Sequence, residues 1–429
     1  MSTKGTDAAA PRPKRVVVAG LGYVGLPLAM QAVEAGYHVI GFDVATDRIA
    51  AMASGRSYVE DVPDAQLGAA LASGRFKPST DRADCGGFDI AVITVPTPLR
   101  EGVPDLSYIE DAAEMLGRRL RVGALVILES TTYPGTTEEL MVPILERVSG
   151  LEAGREFLVG YSPERIDPGN RSWNFVNTPK VVSGIDKASL AAVRAFYDDL
   201  VDTTVPVSSP KEAELCKLLE NTFRHVNIAL VNELAMFAGD LGINVWEAIE
   251  AASTKPFGYM RFTPGPGVGG HCLPIDPSYL SWQVRRRLGT PFRFVELAND
   301  VNAHMPDYVV RRLTVGLNER DRPVKGSRIL VLGLAYKPNT SDVRESPAAG
   351  VIERLAVLGA NIRIADPVVH AVGDARVALV EATPAEVQAA HAVVLLTDHD
   401  SFDFEMIGST ASYVLDTRRR LAGPGVEYL

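Results

Sequence analysis

The segment Pro264-Gly265-Pro266-Gly267-Val268-Gly269-Gly270-His271-Cys272-Leu273-Pro274-Ile275-Asp276 sets one cysteine in a glycine-rich loop with a carboxylate four residues on. Four glycines and two prolines precede His271, and they permit backbone angles that side chains forbid, so a substrate can lie against the main chain with Cys272 in reach. Such a thiol is useful when it attacks carbon, and a chain that also carries a nicotinamide site makes a suitable carbon in place, an aldehyde. Taken alone, the loop reads equally well as a turn around a buried cysteine. A second constellation, Lys217 and Asn221, stands one helical turn apart on one face, where a base for an alcohol and a cation for a developing oxyanion can share one oxygen.

The nicotinamide site is read from residues 15–43. An apolar strand runs into Gly20-Leu21-Gly22-Tyr23-Val24-Gly25, an alanine-rich helix follows, and Asp43 ends the next strand eighteen residues after Gly25. Gly20 permits the tight turn, Gly22 lets a pyrophosphate approach the helix N-terminus, and Gly25 allows close helix–strand packing. Asp43 is expected to accept the adenosine ribose hydroxyls and to repel the extra phosphate of NADP, so the cofactor expected is NAD. Arg48, five residues on, reads either as a cover for the adenine or pyrophosphate or as a solvated arginine.

The elements that position these groups are α/β in pattern. Apolar runs at 89–95, 124–128 and 157–160 continue a doubly wound, mostly parallel sheet to about residue 205. Ser209-Pro210-Lys211-Glu212 matches a capping box, and helical periodicity persists to Gly242. A helix of that length spans roughly 45 Å, more than one domain needs, and is expected to link domains and to support a homodimer. After Asp321-Arg322-Pro323 the alternation resumes, with buried strands at 328–332, 361–365 and 392–396. The expected architecture is two Rossmann-like domains joined by a central helical domain: a lead-in at 1–14, then domains at 15–205, 206–321 and 322–429. The first turn of the last domain, Gly333 to Pro338, lacks the glycine triplet, so no dinucleotide is assigned to it.

Composition narrows the function class. A net charge of −10 over 429 residues disfavours nucleic acid as partner. No apolar run approaches the ~20 residues that cross a bilayer, and the first fourteen residues have no apolar core of signal-peptide type. Three cysteines in so long a chain argue against a disulfide framework and for a reducing compartment, so the cytoplasm is expected. No metal ligand set is assigned. An anionic substrate requires local cations set against the global charge, and Lys255, Arg261, Lys337 and Arg344 lie near loops.

Together with the turn and the cysteine loop, Thr97-Pro98, Ser130-Thr131, Ser162-Pro163-Glu164, Glu214-x-x-Lys217-x-x-x-Asn221 and Lys337 to Ser346 occur in one order. In that combination the chain resembles the UDP-glucose/GDP-mannose dehydrogenase family over nearly its whole length. The resemblance implies oxidation of the C6 alcohol of a sugar nucleotide to a carboxylate with two NAD, the aldehyde being trapped on Cys272 as a thiohemiacetal and oxidised to a thioester. It points to Glu164, Asp276 and Thr131 for the water that releases the acid, and to Tyr23, Val24, Thr97, Thr131 and Arg344 beside the cofactor. For the substrate it points to Glu164, Arg165, Lys217, Asn221, Gly269 and Lys337, with Arg261 or Lys255 in the role of a residue donated by a partner subunit. Without the other motifs, Asp276 beside Pro277 reads as a helix cap and Glu164 as a loop charge. Two departures stand out: Ile275, where many members carry lysine beside the cofactor, and residues 255–261, which differ from the glucose enzymes. Residues 130–135, 164–169 and 264–267 look like the branch that oxidises UDP-N-acetylhexosamines, with UDP-N-acetylglucosamine favoured; UDP- or dTDP-glucose and UDP-N-acetylmannosamine are the alternatives. A one-step 3-hydroxyacid dehydrogenase shares the first domain and the long helix, yet needs neither Cys272 nor residues 322–429. A non-enzymatic NAD-binding sensor needs none of the reactive residue types.

Overall fold

The computed structural model describes residues 14–429 except 60, 101, 167–169, 171, 271–272 and 371–376. The chain forms two compact units, one ending at Leu219 and the other beginning at Glu220.

In the first unit, the strand Arg15–Ala19 is apolar throughout because both of its faces are covered. Val16 and Val18 enter one hydrophobic cluster with Leu26, Met30 and Phe196; Val17 and Ala19 enter another with Met115, Leu145 and Tyr161. Successive side chains point to opposite faces of the sheet, which makes it a core on both sides. Eight strands are ordered Thr204–Pro206, Lys180–Gly184, Leu158–Tyr161, Leu125–Leu128, Ile90–Ile93, Arg15–Ala19, His38–Phe42 and Phe76–Ser79. All neighbours pair in parallel except Leu158–Tyr161 with Lys180–Gly184. The order reverses direction on either side of the first strand, and there the loops leaving the strand C-termini diverge.

The second unit repeats the plan. Its six-stranded sheet is parallel throughout, ordered Ala378–Leu379, Asn361–Ala365, Arg328–Leu332, Ala392–Leu395, Val414–Asp416 and Val426–Tyr428. Ile329 and Val331 pack to one side of it, Leu330 and Leu332 to the other. Helix Arg293–Asn318 lays Met305, Val309, Leu313 and Leu317 on the first of these faces.

The long helix runs Pro210–Asp240, two residues inside the stretch expected from periodicity, and the boundary between the units falls within it. Ser209 Oγ accepts from Lys211 N at 3.2 Å and donates to the Glu212 side chain, so Ser209 caps the helix through its second amide, and the pairing with Glu212 is side chain to side chain. The strands expected at 89–95, 124–128, 157–160, 328–332, 361–365 and 392–396 are present with ends shifted by at most two residues. Among the described residues, no helix is long and apolar enough to cross a membrane.

Candidate active site

In the first unit the glycine turn has the form its sequence requires. Gly20 has φ +97°, and a Cβ there would stand 2.8 Å from Thr94 O. A Cβ on Gly25 would lie 1.9 Å from Gly20 O, whereas one on Gly22 would meet nothing within 4 Å. Gly20 and Gly25 are therefore glycines for the protein's own sake, and Gly22 keeps an approach open. Helix Gly25–Glu34 starts there with no side-chain cap. Leu26 N and Leu28 N are bonded to Gly22 O and Val24 O, so what the helix start offers an anion is the positive end of its dipole beside the open face of Gly22. Buried Asp43 accepts from Leu21 N and Ala45 N, each at 2.9 Å, which ties it to the turn. A carboxylate has about four acceptor positions, so two protein donors leave room for ribose hydroxyls. These features fit NAD. Tyr23 and Val24 are half-buried in the same turn. Arg48 lies over the ring of Tyr58 at 5.1 Å, and Tyr58 donates to Leu21 O. Tyr58, whose hydroxyl burial pushes up to about 12, had drawn no attention as sequence.

The remaining candidates of this unit follow the C-terminal ends of neighbouring strands. Thr97 donates to Thr131 O at 2.8 Å, which brings two predicted cofactor residues together. Glu164 Oε1 accepts from Arg165 N and Ile166 N, both at 2.6 Å, and Oε2 accepts from Lys180 Nζ at 3.2 Å. Burial pushes the Glu164 carboxyl up, but Lys180, a hydrogen bond with Glu129, the Ile166 amide and the charge of Lys217 outweigh it and hold the pKa below its usual value. Glu164 is thus more than a loop charge; it is a fixed, ionised acceptor. Arg165 Nη1 donates to Pro179 O at 2.6 Å, so part of its guanidinium supports the protein's own loop. Lys217 is buried on the long helix, and Glu214, one turn earlier, accepts from Gly135 N at 2.5 Å, Thr137 N at 2.9 Å and Thr137 Oγ1 at 2.7 Å. Glu214 thereby fastens the start of that helix to the loop after Thr131.

In the second unit, Asn221 Nδ2 donates to Asp276 Oδ2 at 2.6 Å, with both side chains buried. Asp276 is also the first residue of helix Asp276–Leu288, with Pro277 next, so the helix-start reading and the site reading both hold. Cys272 lies outside the described residues. Gly269 and Gly270 show why that loop needs glycine. A Cβ on Gly269 would stand 2.7 Å from Glu345 O and 2.9 Å from the Tyr336 Cβ, and one on Gly270, at φ +88°, would strike the Tyr336 ring. Against these two glycines, where a substrate is expected to lie on the main chain, the space a Cβ would take is held by the chain's own Tyr336, Glu345 and Pro347. Half-buried Lys337 lies on that segment. Arg344 forms a bidentate pair with Asp342, at 2.9 Å from Nε and 2.6 Å from Nη2. Arg261 is exposed.

The last domain reproduces the first turn without its opening. Gly333 has φ +87° and donates to Ala365 O, and Asp366 accepts from Leu334 N at 2.7 Å as Asp43 does from Leu21 N. Buried His399 Nε2 donates to Asp366 at 3.1 Å, while its Nδ1 accepts from Asn339 N. His399 is a side-chain donor to Asp366, whereas the hydrogen bonds described for Asp43 come from backbone amides alone.

Sequence reasoning passed over Glu129 and Lys180. Each is a single charge bounding an apolar strand, one just after Leu125–Leu128 and the other opening Lys180–Gly184, and that isolation is the signal available.

The chain matches the UDP-glucose/GDP-mannose dehydrogenase family in its NAD binding domain over residues 14–201, its central domain over 211–304 and its UDP binding domain over 330–422. It is 36% identical over 421 residues to the UDP-N-acetyl-D-mannosamine dehydrogenase of Pyrococcus horikoshii, covering 97% of this chain and 98% of that protein. It is 39% identical over 361 residues to the UDP-N-acetyl-D-glucosamine 6-dehydrogenase of Pseudomonas aeruginosa, covering 83% of each. A solved structure of the UDP-D-ManNAc dehydrogenase from Pyrococcus horikoshii superposes with a TM-score of 0.88 at 36% identity, covering 96% of this chain and 98% of that one.

The glycine geometry separates folding from binding. Gly25→Ala is expected to destabilise the protein by about 3 kcal/mol through overpacking against backbone. Gly22→Ala is expected to leave the melting temperature within about 2 °C and to weaken NAD binding tenfold or more, about 1.4 kcal/mol. Thermal melts with and without NAD decide it; equal loss of stability in both variants contradicts the assignment.

Proposed function

We propose a reaction for this chain from the premise that it belongs to the UDP-glucose/GDP-mannose dehydrogenase family, and so to the NAD-dependent oxidoreductases that act on CH–OH. The reaction is oxidation of the C6 alcohol of a UDP-N-acetylhexosamine to its uronate. The observation that carries the reading is the buried Asn221–Asp276 pair at 2.6 Å, four residues after the loop cysteine and one helical turn after Lys217. A match to the family's UDP binding domain over 330–422 is not expected of a one-step hydroxyacid dehydrogenase.

NAD supplies the hydride acceptor in both oxidations. Lys217 takes the proton of the C6 hydroxyl and then holds the oxyanion as an ammonium. Asn221 spends one amide hydrogen on Asp276, which fixes the amide plane and leaves the other for the same oxygen. The Cys272 thiolate adds to the aldehyde carbon, and the oxygen takes a proton to give the thiohemiacetal. Lys217 takes the thiohemiacetal hydroxyl proton as the remaining C6 hydrogen leaves as hydride, and the C=O of the thioester forms. Water, held by Glu164 and the Thr131 hydroxyl, attacks that carbon; the C–S bond breaks and Cys272 leaves as thiolate. The ionised state of Glu164 suits an acceptor that orients water. Lys337 contacts the nucleotide, and Arg261 reaches the site of a second copy.

The N-acetylglucosamine substrate is favoured by the 39% identity to the Pseudomonas aeruginosa enzyme, and the N-acetylmannosamine reading by the near-full-length match to the Pyrococcus horikoshii enzyme. Initial rates with both sugar nucleotides, UDP-glucose, dTDP-glucose and GDP-mannose rank them.

The wild type is expected to form two NADH per sugar acid without free aldehyde. Cys272→Ser is expected to lower turnover at least about a hundredfold, because serine is a far less acidic nucleophile. Cys272→Ala is expected to form no acid. Acid production by Cys272→Ala at near wild-type rate refutes the covalent route.

A homodimer completes the proposal. Phe223, Leu230, Leu234 and Phe237 are exposed and, at 100° per residue, fall within about 60° of one another around the long helix. A second copy of the stripe covers it with two-fold symmetry. Light scattering is expected to report a dimer for the wild type and a monomer for Leu230→Glu/Phe237→Glu; a monomeric wild type removes the interface.

A further inference from the structure

Beneath Glu164 lies a buried charged set that the reaction as described does not use. Glu129, which follows strand Leu125–Leu128, and Lys180, which opens strand Lys180–Gly184, form an ion pair, with side chains 0% and 4% exposed. Lys180 Nζ also reaches Glu164 Oε2 at 3.2 Å. The rings of Phe175 and Tyr197 face the same ammonium at 5.4 and 5.3 Å. Tyr197 Oη donates to Glu129 Oε2 at 2.6 Å. Three ionisable side chains and a phenol therefore meet in a buried cluster whose most exposed ionisable member is Glu164.

A fold rarely needs such a set for stability. Well-packed apolar residues usually replace a buried ion pair at no loss, because desolvation offsets most of the attraction. Two carboxylates beside one ammonium are worse, since full ionisation leaves a net negative charge in a medium that screens it poorly. One proton resolves this, and Glu129 is where it belongs: Glu164 already has two backbone amides and Lys180 holding its charge, whereas Glu129 has a phenol and a shared ammonium. Burial, then the charge of Glu164, push the Glu129 carboxyl up to about 7 against the opposing pull of Lys180. Burial lowers the Lys180 pKa, but the two carboxylates outweigh it, so the ammonium keeps its charge.

We propose that Lys180 and Glu129 are positioning residues for catalysis: Lys180 fixes Glu164 as an ionised acceptor, and Glu129, neutral beside it, carries the proton that keeps the set from gaining a second negative charge. The inference rests on the role given to Glu164 above. The charged and titratable groups that bear on Glu129 are Lys180, Glu164 and Tyr197, with Lys217 acting on Glu164 from the long helix.

The signs follow from linkage. Removing the Lys180 charge raises the pKa of Glu164, so its ionised form is lost at higher pH. The raised Glu129 pKa means that its favourable neutral state is intact below about 4.5 and is lost as pH rises through about 7.

The test is kcat/KM against pH for the full-length enzyme with a UDP-N-acetylhexosamine that it turns over. K180M is expected to lose at least about tenfold at pH 7 and to move the acidic limb up by about one unit or more. K180R is expected to restore the limb. E129Q cannot ionise, so its kcat/KM relative to wild type is expected to rise at least about threefold between pH 6 and 9. Equal affinity for NAD checks that each variant is folded. A K180M acidic limb that overlays the wild type, or an E129Q ratio independent of pH, overturns the inference. Should K180M fail to fold, K180R and E129Q carry the test: an acidic limb displaced in K180R or a flat E129Q ratio overturns it. E164Q separates this failure from that of the underlying reading. If E164Q turns over like the wild type, Glu164 has no role and both fall; if E164Q is inactive while the Lys180 and Glu129 profiles are unmoved, only the positioning falls.

Discussion

A parallel strand covered on both faces can carry chemistry only at its ends, and this constraint organises the first unit. Within Arg15–Ala19, Ile90–Ile93 and Leu125–Leu128 nearly every side chain is committed to one of two cores. Polar groups appear where the strands release the chain: Asp43 after Phe42, Thr94 and Thr97 after Ile93, Glu129 to Thr131 after Leu128, and Ser162 and Glu164 after Tyr161. Parallel pairing puts these exits on one edge, so residues tens of positions apart in sequence, such as Gly20 and Thr94 or Thr97 and Thr131, become neighbours. The turn at Gly20 survives at this edge because Gly25 has no Cβ to strike it.

The second sheet shows how small a change closes such an edge. Gly333, Leu334 and Asp366 repeat the backbone arrangement of Gly20, Leu21 and Asp43, down to the amide donated to the carboxylate. Asp366 then takes His399 as a further donor, and His399 is fully buried. Donors around the Asp366 carboxylate, led by the His399 hydrogen bond, outweigh its burial and hold its pKa well below the usual range. A group so satisfied by its own protein has little left to offer a ligand. The absence of the glycine triplet, visible in sequence, and the histidine, invisible as a motif, have the same outcome by different means.

Legibility followed the strength of the local signal. The glycine turn with Asp43, the long helix from Ser209 and the six interior strands were readable because each combines periodicity with a terminating residue. The edge strands were not: Phe76–Ser79 contains Lys77 and Pro78, and Val426–Tyr428 is three residues long, so tertiary pairing makes them strands where propensity does not. Helix Arg293–Asn318 hid behind Pro306, which reads as a breaker yet sits within the helix. In the candidate site, residues borne by motifs were named in advance, whereas Tyr58 and Lys180 act on those residues through tertiary contact and have no spacing to betray them. Arg344 reads as a ligand-facing cation, and it forms an ion pair with its own neighbour Asp342.

The packing of Gly269 and Gly270 against Tyr336, Glu345 and Pro347 bears on how this architecture can be recombined. The glycines belong to the central segment and their counterparts to the C-terminal domain, so a crossover placed at the loop near residue 322 cuts the chain where the tape is free but divides a lock from its key. A C-terminal domain taken from a relative will seat on this loop only if it brings a ring at 336 and a main-chain path at 345 that tolerate a bare backbone pressed against them. The interchangeable unit of the second half is therefore larger than either domain that the strands and helices outline: it begins before Gly265 and ends with the final strand.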